Sequence, residues 1–276
     1  MPDSTASLSA PRVALIGFGE AGSTFAAAGR WNGRACGWDV LTERRDAMAE
    51  LGVKAASEPE EALVGANLVL SLVTADSALS AARQYARALE PGAIWCDMNS
   101  VAPDTKRLAA EAVASSGGRY VDVAVMAPVD PAALGVPLLL AGEAAADAKR
   151  LLDELGFSDM RVVGSEIGKA SAIKMIRSVM VKGIEALSEE CARAAEAAGV
   201  FDEVMASLDA SEKRIGWAER VAYNRERMQL HGLRRAAEME ESAKTLQGLG
   251  VEPIMTRGTV ERQRKAAGRE ERIEAA

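Results

Sequence analysis

Cysteine is scarce in this sequence. Cys36, Cys96 and Cys191 are the three among 276 residues, they lie far apart, and two of them sit in apolar runs that read as strands. That distribution indicates neither a disulfide framework nor a metal site, and it suits a reducing cytoplasm. Aromatic residues make up only 4% while alanine is abundant, so helix is expected to dominate. Long apolar runs are missing too. No segment approaches the ~18 consecutive apolar residues that span a bilayer, and Met1 to Ala10 has neither the basic start nor the apolar stretch of an export signal. The expectation is a chain neither exported nor embedded in a membrane. A basic excess is also lacking: the net charge of −7 argues against nucleic acid or an anionic membrane as partner. It leaves room for an anionic substrate in a local basic pocket.

What is present is a change of pattern along the chain. From Pro11 to about Gly164, short β-like runs alternate with helical stretches, the runs being RVALIG, ACGWD, NLVLSLV, AIWCDM, RYVDVAV, PLLLAG and RVVG. Such alternation predicts a parallel α/β sheet. ERRDAMAELG has helical composition and a glycine stop, Ser57 to Glu60 reads as a capping-box helix start, and Pro103 suits the first turn of a helix running to about Ser115. After Gly164 the β signals vanish. Ile167 to Ala198 reads as one long helix, and the charged remainder from Phe201 reads as helices broken near Gly216, Gly232, Gly248 and Pro253. The division expected is therefore a disordered start over 1–10, a Rossmann doubly wound α/β domain over 11–165 and an all-helical domain over 166–276. The charged tail from Glu261 to Ala276 reads as a solvated or frayed last helix.

RVALIGFGEAG places G-x-G-x-x-G directly after an apolar strand and at the start of a helix, the setting in which the motif binds a dinucleotide. Gly17 permits the tight turn, Gly19 lets the backbone approach a pyrophosphate, and Gly22 allows close helix packing. Phe18, Glu20 and Ala21 fill the loop between them, where unpaired helix N–H groups meet the negative charge. Asp39 ends the second strand 22 residues beyond Gly17, at the offset of a ribose-binding carboxylate. A carboxylate there repels a 2′-phosphate and favours NAD. Arg44 and Arg45, in the next helix, are the residues that could rescue NADP. Ligands in open α/β sheets sit at the carboxyl edge, so Val73 and Thr74 are expected beside the adenosine or ribose, and Asn99 and Ser100 nearer the nicotinamide. Ser100 reads equally well as the N-cap of the helix beginning near Pro103.

Inside the long helix, GKASAIKMIRSVMVKG sets Lys174 one turn from Ala170, Arg177 and Ser178. A lysine on an otherwise apolar face either snorkels to the surface or points into a cleft. In a cleft, partial burial and Arg177 would lower its pKa toward the range of a general acid/base.

At this point the sequence resembles the β-hydroxyacid dehydrogenase superfamily, which includes 3-hydroxyisobutyrate and 6-phosphogluconate dehydrogenases, over nearly the whole chain. In that family a long helix after the Rossmann domain carries G-x-G-x-x-x-K-x-x-N-N, and its lysine is the catalytic acid/base. Lys174 falls on that lysine, whereas the family asparagines fall on Arg177 and Ser178 and the second glycine on Ala170. A second family motif, D-x-P-V-S-G-G, binds the substrate carboxylate. Its counterpart is DVAVMAPVD from Asp122, with Met126 and Ala127 replacing serine and glycine, so that backbone N–H groups near Met126 to Val129 are left to hold an anion. The pattern is similar to a divergent phosphogluconate dehydrogenase-like branch with a C-terminal domain of unknown function, whose HGLRRAAEMEE-type segment is present at His231 to Glu241. Some relatives in that branch oxidise branched or short sugar acids.

The resemblance implies hydride transfer from a substrate carbinol carbon to the nicotinamide while Lys174 removes the hydroxyl proton. Arg177 and Ser178 would bind a carboxylate or phosphate beside Met126 and Ala127, and Ser100 would orient the hydroxyl. His231 and Arg235 would contact distal polar groups, unless their helix is simply a solvated charged one. It also implies a small anionic hydroxy-acid substrate, and a homodimer or homotetramer through the helical domain. Two other readings stand beside it: C=N reduction of the imine reductase type, which shares the two-domain plan, and a non-catalytic NAD-responsive binding protein.

Overall fold

The computed structural model describes residues 11–212 and 215–267. The expected disordered start, residues 1–10, and the tail from 268 onward lie outside the described residues. β1 (Val13–Ile16) leads to α1 (Glu20–Gly29), β2 (Ala35–Trp38) to α2 (Glu43–Glu50), and the two-residue β3 (Lys54–Ala55) to α3 (Pro59–Leu63). The chain then crosses to the other side of β1. There it lays down β4 (Leu68–Ser71), α4 (Ala78–Tyr85), β5 (Ile94–Asp97), α5 (Pro103–Ser115) and β6 (Arg119–Val125). β7 (Leu138–Ala141), α6 (Ala145–Glu154) and β8 (Met160–Gly164) complete one sheet in the order β3-β2-β1-β4-β5-β6-β7-β8. This is the doubly wound order of a Rossmann domain, with its reversal point between β1 and β4.

The strands read as unbroken apolar runs because helices cover both faces of the sheet. Every residue of β1, β4 and β5 is buried. Leu15, Leu70 and Cys96 face one core with Phe25 and Phe157, while Ile16, Val69 and Trp95 face the other with Tyr85. Several of the few aromatics are spent here: Phe25 meets Phe157 edge-on at 5.1 Å, and the buried Trp31 donates its indole N–H to the Leu155 carbonyl.

Three local expectations are corrected. The sheet is not wholly parallel, since β7 runs antiparallel to β6. The connection from 126 to 137 holds only a short 3-10 turn, Ala133–Gly135, and no helix to carry the chain back across the sheet. β3 was not foreseen, because two residues are too few to show a period. The helix start falls after Ser57: Glu58 is the N-cap of α3 with Pro59 in its first turn, and Ser57 donates its N–H and its hydroxyl to Glu61, both at 2.8 Å, rather than pairing with Glu60.

Beyond the sheet lie α7 (Lys169–Ala198), α8 (Phe201–Ser211), α9 (Trp217–Gly248) and α10 (Ile254–Ala267). The chain divides into two compact units between Arg177 and Ser178, inside α7, whereas the sequence placed the division at 165/166. The first turn of α7 belongs with the sheet because Ala170 is buried against Ala124, Leu139 and Ala141. In the second unit Gly216, Gly248 and Pro253 fall at helix ends, but Gly232 breaks nothing. It lies buried in mid-helix where α10 crosses, and a Cβ there would stand 2.4 Å from the Gln263 carbonyl oxygen. No helix among the described residues is long and apolar enough to cross a membrane.

Glu190, buried on α7, closes the second unit. Its carboxylate accepts from the N–H groups of Met255 and Thr256, at 2.7 and 2.9 Å, and from the Thr256 hydroxyl, at 2.5 Å. It thereby caps the otherwise unsatisfied start of α10. Burial pushes its pKa up, but the bonds from the Thr256 hydroxyl and the amides of Met255, Thr256 and Ile254 outweigh burial and hold it below the usual glutamate value. A depressed folded pKa stabilises the folded chain above the unfolded value of about 4.3 and stops doing so as pH falls through the lower folded value. E190Q is therefore expected to cost about 1–3 kcal/mol near neutrality, with the difference from wild type shrinking on acidification. Urea unfolding of both proteins across the acid range checks this, and a gap that stays constant down to full protonation would refute it.

Candidate active site

The carboxyl ends of β1, β2 and β4 form a groove at the reversal point of the sheet. Gly17 turns the chain out of β1 with φ +94°, and a Cβ on it would stand 2.6 Å from the Leu72 carbonyl oxygen. On Gly22 a Cβ would stand 2.8 Å from the Gly17 carbonyl oxygen, so this glycine lets α1 close on the loop. Gly19 differs from both. Nothing lies within 4 Å of where its Cβ would be, and as N-cap of α1 it brings no side-chain cap. Bare backbone and the first N–H groups of α1 thus border open space, as a pyrophosphate requires.

Asp39 stands beyond β2 and accepts from Phe18 N–H at 2.6 Å and from Leu41 N–H at 2.9 Å. These bonds tie the glycine loop to the end of β2. Each carboxylate oxygen keeps a lone pair with which to accept from a ribose hydroxyl. Beside it opens a cavity of about 420 Å³ whose lining includes Gly17, Gly19, Asp39, Arg44, Val73 and Thr74. The rings of Trp38 and Tyr85, edge-on at 5.2 Å, form part of its wall. Volume, aromatic wall and carboxylate fit the adenosine half of a dinucleotide. Arg44 lines this cavity and Arg45 does not. Trp38 and Tyr85 were not singled out from sequence, where each reads as an ordinary apolar core position.

Farther along the same edge, past β5 and β6, the start of α7 brings Lys174 to Ser100. Lys174 Nζ donates to Ser100 Oγ at 2.6 Å, and Lys174 is half-buried. Ser100 does not cap α5: the N-cap is Ala102, and Pro103 takes the first helical position. Arg177, one turn on, reaches the Met126 carbonyl at 3.5 Å, so its guanidinium lies over the end of β6. The anion loop expected at Met126 to Val129 is narrower than supposed. Met126 spends its N–H on the Pro137 carbonyl and Pro128 has none, which leaves Ala127 and Val129 as donors. Asn99 is 5% exposed and points inward, its amide donating to Ser71 Oγ and Asp97 Oδ1. Ser178 follows at the start of the second unit, and His231 and Arg235 stand on α9 of that unit. His231 is exposed and Arg235 half-buried, while Glu238 pairs with Arg234 rather than with either.

Beneath Ser100 and Lys174 lies a polar cluster the sequence reading missed. Lys106 of α5 has no exposed side-chain surface, and its ammonium donates to the Asp97 carbonyl at 2.6 Å and to Asp97 Oδ1 at 2.9 Å. Asp122 Oδ1 lies 3.4 Å away on the other side. Tyr120 donates its hydroxyl to Asp97 Oδ2 at 2.7 Å, and burial, with the Asp97 charge adding to it, raises the phenol well above its usual pKa. One signal was available in the sequence. Lys106 shares the inward face of α5 with Ala109 and Val113, at helical spacing.

Residues 12–164 match the family described as the NAD binding domain of 6-phosphogluconate dehydrogenase, and residues 195–266 match a domain of unknown function, DUF1932. A conserved hypothetical protein from Sinorhizobium meliloti 1021, solved by crystallography, is 37% identical, with 94% of this chain and 89% of that chain covered at a TM-score of 0.62. A conserved protein of unknown function, described as structurally similar to 3-hydroxyacid dehydrogenases, is 29% identical, with 92% and 96% covered and the same TM-score of 0.62. A variant imine reductase from Myxococcus stipitatus, in complex with NAD+, is 20% identical, with 94% of each chain covered at a TM-score of 0.74, a likeness of fold.

Gly17 and Gly19 separate experimentally. G17A is expected to lower the melting temperature, because the left-handed backbone and the Leu72 carbonyl both oppose a side chain. G19A is expected to fold as wild type and to lose dinucleotide affinity, read by calorimetric titration with NAD. Full affinity in G19A would remove the phosphate role assigned to this loop.

Proposed function

The chain belongs to the family of the NAD binding domain of 6-phosphogluconate dehydrogenase, and from that premise we propose that it is an NAD-dependent oxidoreductase acting on the alcohol of a small anionic hydroxy acid or sugar acid. The observation that carries this reading is the Lys174–Ser100 pair, 2.6 Å apart on the same sheet edge as the glycine loop. An ammonium beside a hydroxyl at that edge is an arrangement for moving a proton on and off a substrate oxygen.

The dinucleotide, when bound, supplies a nicotinamide ring that accepts hydride. Gly17, Gly19 and Gly22, with the backbone of Phe18, Glu20 and Ala21, hold its pyrophosphate, and Asp39, Val73 and Thr74 hold its adenosine half. Asp39 favours NAD by repelling a 2′-phosphate, against the pull of Arg44. The substrate oxygen takes up a place beside Ser100 Oγ and Lys174 Nζ, with Lys174 as the group that takes the hydroxyl proton as the carbinol is oxidised. Arg177, over the end of β6, binds the substrate carboxylate or phosphate as a charge-assisted pair, helped by the N–H groups of Ala127 and Val129. Asn99 acts from behind, fixing the backbone that presents Ser100. Met126 and Ala127 shape the floor.

Assembly is part of the same reading. In the second unit Val179, Met180, Ile184 and Leu187 of α7 and Leu230 and Leu233 of α9 leave apolar side chains exposed, with Val179 at 76% and Leu233 at 70%. Exposed apolar faces of this kind favour covering by another copy of the chain, as a homodimer or homotetramer. Sedimentation equilibrium is expected to show a dimer or tetramer, and a monomer at micromolar concentration would refute it.

The decisive experiment follows NADH formation with a panel of hydroxy acids and sugar acids, for wild type and K174A. Wild type is expected to turn over at least one acid, and K174A to lose about 10²–10⁴-fold in kcat while binding NAD normally. Full turnover by K174A would overturn the proton-transfer assignment. Tight NAD binding with no turnover of any acid would make the chain an NAD-responsive binding protein, and NADPH oxidation with cyclic imines would make it an imine reductase.

A further inference from the structure

The polar cluster beneath the site joins the two halves of the Lys174–Ser100 pair. Asp122, on β6, uses Oδ2 to accept the N–H of Ser171 at 2.9 Å. Ser171 lies in the first turn of α7, so this carboxylate caps the helix on which Lys174 follows one turn later. Asp97, at the end of β5, uses Oδ1 to accept both the N–H and the side-chain amide of Asn99, at 2.9 and 2.8 Å. That fixes the backbone immediately before Ser100. Both carboxylates lie within 3.4 Å of the same ammonium, that of Lys106.

We propose that Lys106 is a positioning residue for the reaction: by fixing the orientation of the carboxyl groups of Asp97 and Asp122, which face each other across the β5–β6 ladder, it sets the distance between Ser100 and Lys174. This rests on the reading of Lys174 as the proton-transfer group. Three observations favour it over a merely structural ion pair. The ammonium donates two hydrogen bonds, to the Asp97 carbonyl and to Asp97 Oδ1, and stands 3.4 Å from Asp122 Oδ1 as an ion pair, so charge and hydrogen bonding together hold it between the two carboxylates. Each carboxylate has a second task, and in each case that task is to hold backbone next to one member of the pair. Finally, the cluster is wholly buried, with Lys106, Asp97 and Asp122 at most 1% exposed, so solvent does not loosen it. Proton transfer is sensitive to misplacement by an ångström, which costs about 10²-fold in rate.

K106M alone would leave two buried carboxylates facing one another and is expected to fold poorly. K106M/D122N is the informative variant. It removes one positive and one negative charge together, keeping the net charge of the cluster, and an amide oxygen at 122 still accepts from Ser171. The proposal expects this variant to fold, to bind NAD with wild-type affinity and to lose about 10²-fold in kcat with little change in KM. Amide hydrogen exchange is expected to quicken selectively at Asn99 and Ser171, with β1 and β4 as protected as in wild type. Turnover close to wild type, exchange that quickens uniformly across the sheet, or failure to fold would each overturn the proposal, the last two by assigning Lys106 to the stability of the sheet. The exchange measurement needs no substrate. Selective loosening at Asn99 and Ser171, together with full activity of K174A, would therefore mark failure of the catalytic reading and not of the link through Lys106.

Discussion

One buried ammonium between two carboxylates links four elements of the first unit. Lys106, Asp97 and Asp122 belong to three elements, α5, β5 and β6, and a fourth, α7, is tied on through Ser171. Taking such a group out of water costs several kcal/mol per ion, and well-packed apolar residues often give equal stability in its place. What apolar packing lacks is direction. Leucine in place of Lys106 would fill the space between α5 and the sheet, but the carboxyl groups of Asp97 and Asp122, which face each other across the β5–β6 ladder, would lose the ammonium that fixes their orientation.

The glycine loop works by the opposite means, through removal of side chains. At Gly17 and Gly22 the backbone itself fills the space a Cβ would take, and at Gly19 that space is left to the ligand. Asp39 then locks the loop from the side through Phe18 N–H. The same carboxylate thus organises the protein and borders the nucleotide groove, so one side chain serves both the fold and the binding edge.

Much of this was legible in the sequence. Strands buried on both faces must be continuous apolar runs, the glycines must recur at fixed spacing to admit the pyrophosphate, and the long alanine-rich stretch before Ala198, almost free of breakers, could hardly be anything but helix. The direction of β7 was not legible, because PLLLAG reads alike either way and the reversal is decided by a connection that lacks a helix. Lys106 was hidden by its residue type, since lysine is ordinarily a surface residue and only its phase with Ala109 and Val113 betrayed it. Gly232 was misread for a related reason. A glycine that admits a neighbouring backbone and a glycine that stops a helix look the same until the neighbour, here Gln263, is in place. Lys174 and Arg177 were singled out by the helical spacing together with the family resemblance, whereas the inward turn of Asn99 and the spent N–H of Met126 depend on partners far away in the chain.

The cap that Glu190 places on α10 bears on how the chain comes off the ribosome. The carboxylate sits on the first helix of the second unit, and the groups it satisfies open the last described one. Until residues 254–256 have been synthesised and released from the exit tunnel, that charge has only water to meet it. Within the first unit the sheet and the Ser171 bond are already complete by Arg177. Nascent chains should accordingly hold a finished nucleotide-binding unit for the whole time it takes to translate the second, which is itself unable to close before its final turns emerge.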